Sequence, residues 1–279
     1  MPELPEVEAA RVAASAVAVG RRITAVACGA DPIVFDRTPP ARITRALRGR
    51  RVLAVARHGK HLWFELDRRP WLTCHFGMTG GFHTPGAGTV KLISSGKNKK
   101  PPQWPPRFTK LHLTFDDGGE LAIADGRRLG RIRLRNDPPH EPPVSLLGFD
   151  ALHDIPSSAR FRDLLAGRSA PLKALLLDQS FAAGVGNWIA DEVLYQARLA
   201  PHRRAGTLTP AEVARLRAKI RSVVATAVRL GSDSDRYPRW WLFHQRWGRN
   251  ARAITGRGEK IRHDTIGGRT TAWVPSVQR

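Results

Sequence analysis

Met1-Pro2-Glu3-Leu4-Pro5-Glu6-Val7-Glu8 opens the chain, and its reading decides what the rest can be. A second residue as small as proline invites removal of the initiator methionine. Pro2 would then carry a free secondary amine with the Glu3 carboxyl beside it. Such an amine can attack a sugar carbon and form an iminium ion, the Schiff-base type of covalent catalysis. The neighbouring carboxyl can move protons in the same reaction. The alternative is that Pro2 only starts a helix, because proline and acidic residues both suit a first turn. A helix over residues 3–19 is expected either way. Val7, Ala10, Arg11, Ala14, Val17 and Ala18 share one stripe, and Gly20 is a stop.

Outward from that helix the period changes to two. Short β-type runs at residues 23–27, 51–55, 61–66, 71–76, 111–115 and 120–124 are punctuated by Gly and Asp. Asp116-Asp117-Gly118-Gly119 between the last two is a hairpin signal. Repeated short strands of this kind predict a sandwich or a barrel. Residues 84–107, rich in Gly, Pro and Lys, interrupt the pattern as a solvated loop. Lys97-Asn98-Lys99-Lys100 within it is also compatible with a nuclear-import patch. Asn136-Asp137-Pro138-Pro139-His140-Glu141-Pro142-Pro143 marks a boundary. The expected organisation is a first domain over residues 1–135, a linker over 136–150 and a second domain over 151–279. In the second domain, residues 157–165, 171–177, 188–196 and 210–230 carry helical periodicity. Thr209 is the N-cap of the last, Pro210 its first residue and Gly231 its stop.

The 279 residues hold 46 Lys and Arg against 24 Asp and Glu, a net charge of +22. The excess is spread through patterned segments, which points to a folded binder of a polyanion. Two cysteines, Cys28 and Cys74, cannot build a disulfide framework, so an intracellular location is expected. Neither a bilayer-spanning apolar run nor a signal peptide is seen. His244 and His263 lack partner ligands, so no zinc or other cofactor is expected.

Five stretches can carry chemistry. Arg57-His58-Gly59-Lys60-His61 is a basic turn whose lysine can neutralise a phosphate. His75-Phe76-Gly77-Met78-Thr79-Gly80-Gly81 ends a strand and offers an apolar side chain able to wedge between bases. Asp125-Gly126-Arg127-Arg128-Leu129-Gly130-Arg131 is a second basic turn. Gly184-Val185-Gly186-Asn187 lies between helical segments, with Asn187 read as an N-cap, and suits a phosphate. Ile266-Gly267-Gly268-Arg269-Thr270-Thr271 reads as a hairpin tip with an arginine at the bend. Taken singly, each also has an ordinary structural explanation.

Taken together and in order, these stretches resemble the formamidopyrimidine-DNA glycosylase and endonuclease VIII family over nearly the whole chain. The absence of cysteines from the last hairpin resembles the zincless-finger members, particularly the plant and fungal branch. The resemblance implies an α+β fold: an N-terminal β-sandwich with an N-terminal helix, then a helical domain with a helix-two-turn-helix motif and a zincless β-hairpin finger. It implies a bifunctional glycosylase and abasic-site lyase of base excision repair, a monomer acting on double-stranded DNA with oxidised bases or abasic sites. Pro2 matches the nucleophile and Glu3 the acid that protonates the opening sugar. Lys60 matches a strand lysine at the phosphate near the lesion. His75, Met78, Arg127, Arg128, Leu129, Asn187 and Arg269 fall at DNA-contacting positions. Met78, Arg127 and Leu129 are those that fill the gap left by a flipped base. Glu6 and Glu192 match supporting acidic residues. Leu129 stands where an aromatic is common, and residues 84–107 and Ser232-Asp233-Ser234-Asp235 depart from bacterial members. The implied compartment is the nucleus in a eukaryote and the cytoplasm or nucleoid otherwise. Two alternatives stay open: a damage-binding member without activity, and a basic RNA- or ribosome-associated protein.

Overall fold

A computed structural model describes residues 2–86, 103–248 and 250–279. Two compact units, Met1–Leu146 and Leu147–Arg279, divide the chain. The lysine patch at 97–100 lies outside the described residues.

Helix α1 (Leu4–Ala18) begins at the N-cap Glu3, where Glu3 and Glu6 form a reciprocal capping box. Such a box satisfies two of the amide groups that a helix start leaves without partners. Its apolar face, Leu4, Val7, Ala10, Ala14 and Ala18, is buried. Two four-stranded antiparallel sheets follow. One holds β1 (Ile23–Cys28), β6 (Thr109–Phe115), β7 (Glu120–Ala124) and β5 (Gly81–His83) in that order. The other runs β2 (Val52–His58), β3 (His61–Leu66), β4 (Trp71–His75), β8 (Arg131–Arg135). Inward residues of both sheets, among them Phe64, Leu72, Leu113 and Phe115, join the α1 face in one continuous core. This is the expected sandwich.

Three elements of this unit escaped the sequence reading. Helix α2 (Pro40–Leu47) is short and basic, and buries only Ile43 and Leu47. The three-residue β5 is too short to show a period. In β8, arginines alternate with Ile132 and Leu134, so the strand's apolar face is only two residues long.

Residues 136–150 contain two 3-10 turns, Pro138–His140 and Val144–Leu146, and the strand β9 (Phe149–Asp150). In the second unit β9 pairs parallel with β10 (Ala182–Ala183). Helices α3 (Ser158–Leu165), α4 (Leu172–Leu177), α5 (Asn187–Ala197) and α6 (Pro210–Arg229) follow the predicted positions within two residues at each end. Thr209 caps α6 and completes a capping box with Glu212, and Gly231 beyond its end takes a positive φ of 68°. The last hairpin pairs β11 (Arg262–Ile266) with β12 (Arg269–Trp273). Gly267 and Gly268 both have positive φ at its two-residue turn, as a type I′ hairpin requires. Arg269 therefore opens β12 and does not sit at the bend. The aromatic run after Tyr237 is mostly interior: Tyr237, Trp241 and Phe243 pack around the buried Trp188. Trp240 and Trp247 stay on the surface.

Candidate active site

The first unit gathers the N-terminal residues and the Lys60 turn. Pro2 is buried and Glu3 is only 2% exposed. The backbone N–H of Glu3 donates to Glu6 Oε2 at 3.0 Å. Burial, reinforced by the Glu3 carboxylate, pushes the Glu6 carboxyl up to about 7. Two acidic side chains thus flank the first turn.

Lys60 sits in the two-residue turn between β2 and β3, where His58 pairs with His61. Only Gly59 there has a positive φ, at 56°, which glycine adopts without a side-chain clash. The turn is tied to α1 by a buried ion pair that the sequence reading did not anticipate. Arg57 Nε donates to Glu8 Oε2 at 2.8 Å, and its Nη1 donates to the Gly59 carbonyl at 2.9 Å. Glu8 also accepts from Arg11 at 2.7 Å. Burial pushes the Glu8 carboxyl up, but the bonds from Arg11 and Arg57 outweigh it and hold it below its ordinary value. One guanidinium therefore joins the helix that starts at the candidate amine to the turn that carries Lys60.

His61 and His75 are cross-strand partners whose rings lie 4.6 Å apart. Burial, with nearby cations adding to it, pushes the imidazoles down to about 3 for His61 and about 4 for His75. His75 Nδ1 accepts from the Gly77 N–H at 3.2 Å, which orients the ring. These shifts predict a pH effect on stability. Below their ordinary value of 6.5 the unfolded chain takes up protons that the folded rings refuse. The urea midpoint of unfolding is expected to fall as pH drops from 6.5 toward 4. His61→Phe/His75→Asn should flatten that slope; an unchanged slope would mean that the rings titrate normally.

Met78 and Leu129 come from different strand ends and are brought to two packed loops. A Cβ on Gly77, where φ is 61°, would lie 2.4 Å from the Leu129 carbonyl carbon, so only glycine allows the approach. Asp125 fastens both loops, accepting from Thr79 Oγ1 at 3.0 Å, Arg127 N at 3.1 Å and Gly130 N at 2.7 Å. Met78 and Leu129 remain 36% and 44% exposed, which leaves two apolar side chains pointing off a rigid base. Arg127 is exposed beside them. Arg128 turns away to Asp31, at 3.0 Å from Nε. Lys110 meets the same carboxylate at 2.8 Å. Burial pushes the Asp31 carboxyl up, but these cations hold it well below the usual carboxylate range.

In the second unit Gly186, not Asn187, is the N-cap of α5, and Asn187 is the first helical residue. The side chain of Asn187 reaches the finger, with Nδ2 donating to the Thr270 carbonyl at 2.9 Å. That bond ties the start of α5 to β12, the strand that Arg269 opens. Beneath them lies a buried hub at Asp191. Lys173 Nζ stands 2.5 Å from Oδ1, and Arg246 Nη2 stands 2.6 Å from Oδ2. The Ala272 N–H donates to Oδ2 at 3.1 Å. Glu192 is fully buried and accepts from Phe243 N and Gln196 Nε2, both at 2.8 Å. Burial pushes its carboxyl up to about 7. The Ser232–Asp235 segment leads into a 3-10 turn over Ser234–Arg236, with the Asp233 carboxylate capping it by accepting from Asp235 N.

A zinc site does not fit the finger. Cys28 and Cys74 lie on β1 and β4 of the other unit, and burial pushes both thiols up. In the hairpin, Asp264 is taken by Arg262 and by the Trp273 indole N–H. Among the described residues no three His, Cys, Asp or Glu side chains gather as metal ligands. No described helix is long and apolar enough to cross a membrane.

Comparison with known proteins adds to this geometry. The family model of the formamidopyrimidine-DNA glycosylase N-terminal domain matches residues 1–132, and that of the formamidopyrimidine-DNA glycosylase H2TH domain matches residues 147–238. A formamidopyrimidine-DNA glycosylase of Arabidopsis thaliana is 39% identical over the whole chain, which spans 71% of that relative. The crystal structure of the MutM (Fpg) protein from Thermus thermophilus superposes with a TM-score of 0.77 at 34% identity, covering 99% of this chain and 98% of that one. The Lactococcus lactis Fpg (MutM), in complex with DNA containing N7-benzyl-Fapy-dG, gives 0.79 at 25% identity with full coverage of both chains.

Proposed function

Because the chain belongs to the formamidopyrimidine-DNA glycosylase family, we propose that it excises oxidised bases from double-stranded DNA and cuts the strand at the resulting abasic site, both through Pro2. The oxidised bases it would remove are formamidopyrimidines, 8-oxoguanine or hydantoin lesions. The observation that carries the reading is the Arg57 bridge, which links α1, the helix that follows Pro2 and Glu3, to the Lys60 turn. A nucleophile and a phosphate-neutralising cation are thereby held by one rigid connection, as a reaction on a nucleotide requires.

The chemistry follows from those groups. A base inside the stack hides its sugar, so the nucleotide must flip out. Met78, Arg127 and Leu129 are the side chains suited to fill the gap. The Pro2 nitrogen attacks C1′, the C1′–N bond to the base breaks, and the base leaves with the bonding pair, taking up the proton that the substituted Pro2 nitrogen gives up. Glu3 donates a proton to O4′ as the ring opens to the iminium ion. Loss of a C2′ proton then expels the 3′ phosphate, and a second elimination expels the 5′ phosphate. Water hydrolyses the iminium, releasing the sugar remnant and restoring the amine. A terminal amine has an unperturbed pKa of about 7.7–8.0, so a share of it is neutral and nucleophilic near neutral pH. Lys60 and His75 serve the phosphate next to the lesion. Asn187 and Arg269 grip backbone from the second unit, where the buried Glu192 supports the fold through Phe243 and Gln196, while Glu6 supports the acid–base balance at the first turn. The net charge of +22 supplies affinity without sequence preference. Action on DNA supports a location in the nucleus or nucleoid, and the plant relative favours the nucleus and the zincless plant and fungal branch.

Duplexes with one formamidopyrimidine, 8-oxoguanine, hydantoin or abasic site test this reading. Incision at one or more lesions, leaving phosphate on both sides of a one-nucleotide gap, is expected. Intact strands in every arm would overturn it.

A further inference from the structure

The two ends of α5 have different chemistry. Asn187, at the start, reaches the finger through Thr270. The last turn, with Tyr195 and Gln196, opens onto a cleft of about 890 Å³. At 1.5 Å per residue the helix separates the two by roughly 15 Å. Arg198, Arg215, Lys219, Arg257 and Arg279 line the cleft together with Trp240.

Two carboxylates also line it, and both are engaged. Glu212 is paired with Arg203 at 2.5 Å, and Glu259 accepts from the Tyr195 hydroxyl at 2.8 Å and from Thr255 Oγ1 at 2.7 Å. Cations at a helix C-terminus can simply offset the dipole. That role is already filled: Arg215 Nε donates to the Ala197 carbonyl at 2.6 Å, and the Arg198 N–H caps Leu194 and Tyr195. Arg198, Lys219, Arg257 and Arg279 enter no ion pair among the described residues. Trp240 is 41% exposed, with the Arg257 guanidinium 5.7 Å from its ring centroid. An open indole face beside several unneutralised cations is the combination that holds a nucleotide, its base stacked and its phosphate paired.

We propose that this cleft is a second nucleic-acid site on the second unit, taking a nucleotide of a single strand with the base against Trp240 and the phosphate among Arg198, Arg215 and Lys219. A flipping enzyme gains from such a site because it holds unpaired strand without competing for the lesion. Free nucleotides present the same chemistry, so the test separates the two sources.

Saturate the full chain with a duplex bearing a stable abasic-site analogue. Then titrate a fluorescent thymidine oligonucleotide about eight nucleotides long, a length within the usual span of one single-strand site. A ternary complex is expected. Trp240→Ala and Lys219→Glu/Arg257→Glu should each weaken oligonucleotide binding about tenfold or more, with duplex affinity and incision unchanged. Competition by thymidine monophosphate at equal nucleotide concentration would assign the cleft to free nucleotides; its failure would assign it to strand. Absence of a ternary complex, or variants that bind like wild type, would overturn the proposal. So would an oligoglutamate of equal charge that competes as well as the oligonucleotide. If the analogue duplex itself fails to bind, the same titration on the free protein still tests the cleft, and only the lesion reading is lost.

Discussion

Pro2→Gln should abolish the covalent adduct that borohydride is expected to trap between the wild-type protein and abasic DNA, and incision should fall on the order of 10³-fold or more, the scale of removing a nucleophile. Glutamine does two things at once. It replaces the secondary amine, and it is too large a second residue for Met1 to be removed. The chain then begins with a primary amine on Met1, two residues before the capping residue Glu3 and one residue beyond the wild-type position. Duplex affinity should change little, because Lys60, Asn187 and Arg269 are untouched. Intact-mass measurement of the wild-type protein must show Met1 absent, since only then does the nucleophile exist. Adduct formation at the wild-type level in Pro2→Gln would move the chemistry to another amine. Lys60 would be the first to test, as it stands on the turn that Arg57 ties to α1. Loss of adduct together with loss of duplex binding would instead indicate a damaged first turn, so affinity is measured in parallel.

What could be read from the sequence depends on how local each signal is. Helix α6 was legible because its cap, its proline and its glycine stop all lie within or beside the element. The Gly59-Lys60 and Gly267-Gly268 turns were legible for the same reason, since each needs a backbone that glycine supplies. The candidate residues themselves stand in those local motifs. What holds them does not. Arg57 meets Glu8 across 49 positions, Arg246 meets Asp191 across 55, and Ala272 meets it across 81. Asp125 reaches back 46 positions to Thr79. No periodicity links such pairs, so the charged residues among them read as ordinary charges on a turn or helix. The misreading of Asn187 as a cap is of another kind. Asparagine and glycine are both accepted at that place, and the chain puts them side by side.

Asp191→Ala should destabilise the second unit by about 3–5 kcal/mol, the usual result of stranding buried charge. The substitution leaves Lys173, fully buried, and Arg246, 4% exposed at its side chain, without their carboxylate. Two cations then face each other in a site from which water is excluded, and the Ala272 N–H loses its acceptor. A loss of that size is a large share of the roughly 5–15 kcal/mol that holds a domain folded. Asp191→Asn keeps the shape and one acceptor but removes the charge, so it should fall between alanine and wild type. Urea unfolding gives the size of the effect, and hydrogen exchange gives its location. Exchange should accelerate first at Ala272 and along β12, because Asp191 joins the finger to α4 and α5 at that point. Arg269 opens that same strand and Asn187 is bonded to its next residue, so the grip on DNA should weaken with it. The adduct chemistry at Pro2 should survive at saturating DNA, since the partners that Asp191 holds, Lys173, Arg246 and Ala272, all belong to the second unit. A loss below about 1 kcal/mol, the worth of a solvent-exposed pair, would show that Lys173 and Arg246 find other partners and that Asp191 does not hold the finger.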